Sequence, residues 1–143
     1  MKKATLALLF ALAALYCAGN AHAAHPLDSS ATSGGLGDDA ASRALAEEFA
    51  KCSAFSDIAA GCVKNSKQED RENIAARYGD VAKRFYRGSY MLVGPDFTRQ
   101  RIRFHGTAMR RSAGNACEGL PKLDQQYRKR CDDTFKRLPR KLQ

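Results

Sequence analysis

Apolar side chains recur at intervals of three and four residues in four successive stretches of the chain, which is the spacing of one face of an α-helix. These stretches cover about residues 45–63, 74–92, 97–113 and 120–138. The stripe of the first is Leu45, Phe49, Cys52, Ser56, Ala59 and Val63, and that of the second is Ile74, Tyr78, Val81, Phe85, Ser89 and Leu92. No convincing run of alternating β-type positions occurs in the sequence, so the pattern predicts an all-α protein.

The third stretch differs from the others because it carries two apolar faces. One face holds Ile102, His105 and Met109, and the other holds Phe97, Phe104 and Ala108. Such a helix is either buried on two sides or keeps one face for a partner.

Capping and turn residues separate the four stretches. Asp38 or Asp39 is expected to cap the first helix, and the charged segment 64–70 supplies the first turn. The Gly-Pro-Asp segment 94–96 should stop the second helix, because a helix cannot easily continue through the proline, and its aspartate should cap the third. Gly114 is expected to end the third helix. Four helices with short connections predict an antiparallel four-helix bundle.

The start of the chain has the three-part layout of a secretory signal peptide. Lys2 and Lys3 precede an apolar run over 6–15, and small residues flank the histidine of Ala21-His22-Ala23. Because a bilayer span needs about 20 apolar residues, this run is too short for a membrane anchor.

The chain therefore divides into a signal peptide over 1–23, a flexible leader over 24–37 that is rich in Ser, Gly and Ala, and a helical domain over 38–143. The expected location is the periplasm, with secretion into the medium as the alternative.

Cysteine use agrees with export, because Cys17 leaves with the signal peptide and four cysteines remain. Four cysteines in an oxidising compartment predict two disulfides. In an up-down-up-down bundle the first and last helices are antiparallel neighbours, which pairs Cys62 with Cys117 and Cys52 with Cys131 as staples between them. A zinc site is not expected, because no CxxC pair is present and only two histidines follow the signal peptide.

Charge is unevenly spread along the chain, whose formal net charge is +9. Residues 24–63 hold two basic against six acidic side chains, whereas residues 64–143 hold twenty basic against nine acidic ones. A basic second half indicates attraction to something anionic, although an ordinary solvated surface would look the same.

Groups suited to catalysis or cofactor binding are scarce. The sequence contains no Gly-x-Ser-x-Gly, His-Glu-x-x-His or phosphate-loop motif, and covalent haem would need a CxxCH motif that is absent. His105 and Met109 share one face of one helix, so they cannot ligate opposite sides of a haem iron. We therefore expect no enzyme activity, cofactor or metal, and we expect His105 to be a partly buried, hydrogen-bonded residue.

The candidate binding residues are the basic side chains of the third and fourth helices, namely Arg99, Arg101, Arg103, Arg110, Arg111, Arg128, Lys129 and Arg130. Guanidinium groups suit carboxylates. The expected function is that of an exported, non-enzymatic interaction protein (an accessory protein, inhibitor or immunity-type binder) whose basic helical surface binds an acidic protein partner. The alternative is a module for anionic envelope lipid or polysaccharide, and export argues against nucleic acid. The sequence does not indicate an oligomeric state.

Overall fold

The computed structural model describes residues 39–143. They form four α-helices, α1 (Ala40–Lys64), α2 (Arg71–Val93), α3 (Pro95–Ala113) and α4 (Leu120–Phe135), followed by a short 3-10 helix over Arg140–Leu142. No strand occurs over residues 39–143, and none of the helices described is both long and apolar enough to cross a membrane. The predicted all-α bundle is confirmed. The predicted signal peptide and leader lie outside the described residues.

The ends of α1 and α3 show how local chemistry sets the helix boundaries. Asp39 caps α1 as predicted, because its Oδ1 accepts a hydrogen bond of 2.7 Å from the backbone N–H of Ser42. The prediction that Asp96 caps α3 is wrong. Gly94 adopts φ 81° and turns the chain in a single residue, so Pro95 takes the first helical position, where its missing N–H costs nothing.

Helix α1 is the centre of the bundle. Phe49 and Cys52 of its predicted stripe are buried, but Ala54, Phe55 and Ile58, on other sides of the helix, are buried as well. The reason is that α2, α3 and α4 all pack against α1. The sequence pattern predicted one apolar face, whereas the structure buries the middle of α1 nearly all round.

Two disulfides fasten α1 to the last part of the chain, as predicted. Cys52 bonds to Cys131 of α4 with a Cα–Cα distance of 5.4 Å, and Cys62 bonds to Cys117 in the loop before α4 with a Cα–Cα distance of 5.6 Å. They close long loops and stabilise the fold by roughly 2–4 kcal/mol each. Disulfides of this kind place the protein in an oxidising compartment outside the cytoplasm.

The apolar stripe predicted that the fourth helix ends near Leu138. In the structure it ends earlier, at Phe135. The turn that follows brings Leu138 back into the core, where it is 3% exposed. It packs where Gly88 of α2 leaves room, because a Cβ atom on Gly88 would lie 2.5 Å from Cδ2 of Leu138 and 3.0 Å from the ring of Phe49. Because Gly88 has no Cβ atom, the C-terminal segment can pack its leucine into the core.

Candidate functional site

Arg101 on α3, one of the predicted binding residues, is hydrogen-bonded within the fold. Its Nε and Nη2 donate to the two carboxylate oxygens of Glu47 on α1, at 2.5 Å each. His105 Nε2 lies 2.6 Å from Glu47 Oε1, and its side chain is 14% exposed. Partial burial raises the pKa of Glu47, but the hydrogen bonds from Arg101 and His105 outweigh it and hold that pKa below its ordinary value. Arg101 and His105 thus fasten α3 to α1.

A second carboxylate on α1 holds another of the predicted binding residues. Glu48 accepts hydrogen bonds from Nε and Nη2 of Arg130 on α4, at 2.5 and 2.6 Å, and one of 2.9 Å from Lys51. Partial burial raises the pKa of Glu48, and the hydrogen bonds from Arg130 and Lys51 lower it further than burial raises it. Part of the basic second half of the chain is therefore neutralised by the acidic first half.

Arg128 is the third predicted binding residue that is held within the chain. Its Nε donates to both carboxylate oxygens of Asp124 at 2.9 and 2.8 Å, and its Nη2 donates to the hydroxyl of Tyr78 at 3.3 Å. Lys129 is exposed and lies near Asp133. These basic groups of α4 are not gathered into one surface.

The basic side chains of α3 that face away from α1 remain available. Arg99, Arg103, Arg110 and Arg111 are all exposed, and none of them has a carboxylate partner within residues 39–143. At 100° per residue, the first three lie within about 40° of one another around the helix, whereas Arg111 points away from them. The structure thus leaves one strip of unpaired arginines on α3.

Two of these arginines line a groove between α2 and α3, which we call the basic groove. Arg99 and Arg103 stand on its α3 side, and Lys83 and Arg87 stand on its α2 side. The groove has a volume of about 540 Å³, and the exposed Asp57 is the one carboxylate among its lining residues. Lys83 also pairs with Asp80 at 3.3 Å, so one paired lysine and three arginines without a carboxylate partner in residues 39–143 converge on a single concave surface.

The local sequence explains why the groove is open. Near the Gly94 joint the hydroxyls of Ser89 and Thr98 are hydrogen-bonded at 3.0 Å and are buried, which holds α2 and α3 together there. Farther along α2, Gly79 and Ala82 face the groove. Gly79 carries only a hydrogen and Ala82 only a methyl group, so the space between the helices is left unfilled.

Sequence reasoning did not select the α2 residues of this groove. Lys83 and Arg87 are four residues apart and so share one face of a helix, and Tyr86 lies beside them in the lining. That spacing could have identified the two residues from the sequence as a basic face of α2. Which face of α2 meets α3, however, depends on the packing of three helices.

The second apolar face of α3 is half-buried at Phe97 and open to solvent farther along the helix. Phe104 is 61% exposed, and Ala108 is exposed as well. The Arg101 guanidinium lies 4.7 Å from the centroid of the Phe104 ring, so part of this face is covered by a cation–π contact. The sequence allowed two explanations for this helix, burial on both sides or a face kept for a partner. Burial on both sides is wrong at Phe104.

His105 is the partly buried, hydrogen-bonded residue that the sequence predicted. It touches one carboxylate, which Arg101 already neutralises, and it does not line the basic groove. Within residues 39–143, no three His, Cys, Asp or Glu side chains are placed to hold a metal ion.

The chemistry that the basic groove offers is recognition of anions. Its lysine and three arginines repel one another, and a bound anionic group would relieve that repulsion. No family model, no curated protein and no solved structure matches this chain.

Proposed function

We propose that this chain is a non-enzymatic interaction protein that binds an acidic segment of a protein partner in the basic groove. The observation that carries the proposal is the convergence of Lys83 and Arg87 from α2 with Arg99 and Arg103 from α3 on one concave surface. Unlike Arg101 and Arg130, these arginines have no carboxylate of the described chain to neutralise them.

The residue types favour a protein as the anionic ligand. Arginine recognises carboxylates through paired hydrogen bonds, and arginine and tyrosine are among the residues enriched at the energetic centres of protein interfaces. Tyr86 supplies an aromatic surface within the groove, and its ring lies 6.2 Å from that of Tyr90, which is exposed. An acidic segment with an apolar or aromatic side chain would use both the cations and these rings.

The compartment that we propose is the periplasm, with secretion into the medium as the alternative. Support comes from the predicted signal peptide over 1–23 and from the two disulfides. An accessory protein, inhibitor or immunity-type binder working there would need no catalytic groups.

The alternative function is binding of anionic envelope lipid or polysaccharide. A membrane surface is broad and flat, and it is best met by basic side chains spread over one face of the protein. A groove between two helices favours a narrow ligand that enters it. We therefore put the acidic protein segment first.

The test is binding of a fluorescent peptide rich in Asp and Glu, followed by anisotropy at physiological salt. The double variant Arg87→Glu/Arg103→Glu reverses one charge on each wall of the groove and should weaken binding by tenfold or more, which corresponds to about 1.4 kcal/mol. The matched control, Lys122→Glu/Arg137→Glu, changes the net charge equally at exposed positions outside the groove and should bind nearly as well as the wild type.

Two outcomes would contradict the proposal. Equal weakening by both double variants would mean that the whole surface attracts the peptide rather than the groove. Sedimentation of the protein with phosphatidylglycerol vesicles, without binding of the peptide, would favour the lipid alternative.

A further inference from the structure

A second groove, which we call the apolar groove, lies between α2 and α4. Four residues of the predicted core stripe of α2 line it, of which Phe85 is fully buried and Ile74, Tyr78 and Val81 are half-buried. The reason is that α2 and α4 both pack on α1 and leave space between them. Apolar side chains that the pattern assigns to a core therefore line an open cavity.

The apolar groove has the size and lining of a small-molecule site. Its volume is about 490 Å³, within the range of roughly 300–1,000 Å³ that ligand pockets occupy. Phe55 of α1 forms part of its floor, and Phe135 of α4 forms part of its wall. One end is closed by the edge-on contact of Phe85 with Phe135, whose ring centroids are 5.8 Å apart.

The disulfide between α1 and α4 keeps the apolar groove open. Cys131, which lines the groove, is bonded to Cys52 in the interior of α1. Helix α4 cannot roll toward α2 and bury the apolar lining without moving this bond. The cavity is thus preformed, which lowers the free-energy cost of filling it.

The rim at the open end carries one unpaired cation, Arg77, because Arg128 is held by Asp124 and the exposed Asp132 of α4 also lines the groove. Arg77 is exposed and has no carboxylate partner within residues 39–143. One residue further along α2, the Tyr78 hydroxyl accepts a hydrogen bond from Arg128 across the groove. An apolar channel closed by two phenylalanines at one end, with the Arg77 guanidinium and the Tyr78 hydroxyl at the other, is complementary to a molecule with an apolar body and an anionic head.

We propose that the apolar groove binds a single-chain carboxylate amphiphile of the fatty-acid class. The alkyl chain lies between α2 and α4 with its end toward Phe85 and Phe135, and the carboxylate lies at Arg77 and Tyr78. This site is independent of the basic groove, because residues 74, 78, 81 and 85 occupy a different face of α2 from residues 79, 82, 83 and 86.

The experiment measures binding of laurate, below its micelle concentration, by displacement of a fluorescent fatty acid. Dodecylamine serves as the probe of opposite charge. Wild-type protein should bind one laurate per chain and bind dodecylamine at least about tenfold more weakly. Arg77→Glu should reverse that preference, which a merely structural role of Arg77 would not do. Lys67→Glu, the same charge change at an exposed position away from the groove, should leave the preference unchanged.

The variant Val81→Trp fills the groove and should abolish binding of both probes while the protein still melts cooperatively. If Val81→Trp does not fold, the charge preference of Arg77→Glu decides the question alone.

The proposal is overturned if wild-type protein shows no saturable laurate binding, if Arg77→Glu keeps the wild-type preference, or if folded Val81→Trp still binds. Concentration-dependent dimers that do not bind laurate and that Val81→Trp abolishes would instead assign this face to a second copy of the chain. Because the peptide assay uses Arg87 and Arg103, failure here would not affect the basic groove.

Discussion

Arg101 binds Glu47 across the interface of α3 and α1 through two parallel hydrogen bonds, one to each carboxylate oxygen. The two residues are 54 positions apart in the chain, and His105 contacts the same carboxylate. This cluster fixes the position of α3, and with it one wall of the basic groove. Its strength is therefore linked to the geometry of the proposed binding site.

Removal of the Glu47 charge should destabilise the protein in a pH-dependent way. We expect Glu47→Gln to lower the free energy of unfolding near pH 7 by about 1–3 kcal/mol, because two charge-assisted hydrogen bonds are weakened. The pKa of Glu47 is lowered in the folded state, so its contribution is present above the ordinary value of 4.5 and is lost as the pH falls through the folded-state pKa. Urea unfolding of both proteins from about pH 7 down to about pH 3 should show their difference shrinking.

The control for this experiment is Glu69→Gln, which removes a charge from an exposed glutamate in the loop before α2. It should change stability by less than about 0.5 kcal/mol. A difference between wild type and Glu47→Gln that stays constant on acidification would show that the charge of Glu47 is not what stabilises the interface.

Loss of the inner disulfide should cost more stability than loss of the outer one. Cys52 is fully buried and its bond to Cys131 closes the longer loop, 79 residues against 55 for Cys62–Cys117. We expect Cys52→Ala/Cys131→Ala to lose about 2–5 kcal/mol from chain entropy together with a cavity in the core. Urea unfolding of both double-alanine variants measures this, and an equal or smaller loss for the inner pair would contradict the role we assign to its burial.

One methyl group added at position 88 should destabilise the folded protein. In Gly88→Ala the new Cβ atom would meet Leu138 at 2.5 Å and Phe49 at 3.0 Å, so we expect a loss of about 1–3 kcal/mol from overpacking. Gly61→Ala is the matched control, because it also lies inside a helix but its Cβ atom would have nothing within 4 Å. The control should gain about 0.4–1 kcal/mol by restricting the unfolded chain. Thermal melts of the two variants should therefore shift in opposite directions, and a stabilised Gly88→Ala would refute the close approach of Leu138.

Processing of the N-terminus tests the predicted export of the protein. Because Ala21-His22-Ala23 presents small residues at both positions that signal peptidase inspects, the exported chain should begin at Ala24. Mass spectrometry of protein purified from the periplasm should give that mass, with both disulfides formed. Retention of Met1, or lipid attached to Cys17, would contradict the predicted cleavage.

Helix positions were predictable from the sequence because they depend on local spacing, and the disulfide pairing followed from the antiparallel topology that short connections impose. Apolar spacing of three and four residues places a helix wherever it occurs, and Asp39 can cap α1 whatever the rest of the chain does. Antiparallel neighbours with fixed rise per residue then put Cys62 level with Cys117. Where local signals competed, the sequence was less informative: Gly94 displaced the expected cap at Asp96, and α4 ended early so that Leu138 could enter the core.

Which surfaces are available for binding was decided only by the tertiary structure. Arg101 and Arg130 look like Arg99 and Arg103 in the sequence, but packing brings the first two against Glu47 and Glu48 and leaves the others to line a groove. Likewise, the apolar stripe of α2 is the same pattern whether a neighbour covers it or not. Because three helices surround α1 and two of them leave a gap, part of that stripe lines a cavity. Periodicity along one helix sets which side chains share a face, whereas the arrangement of its neighbours sets what that face meets.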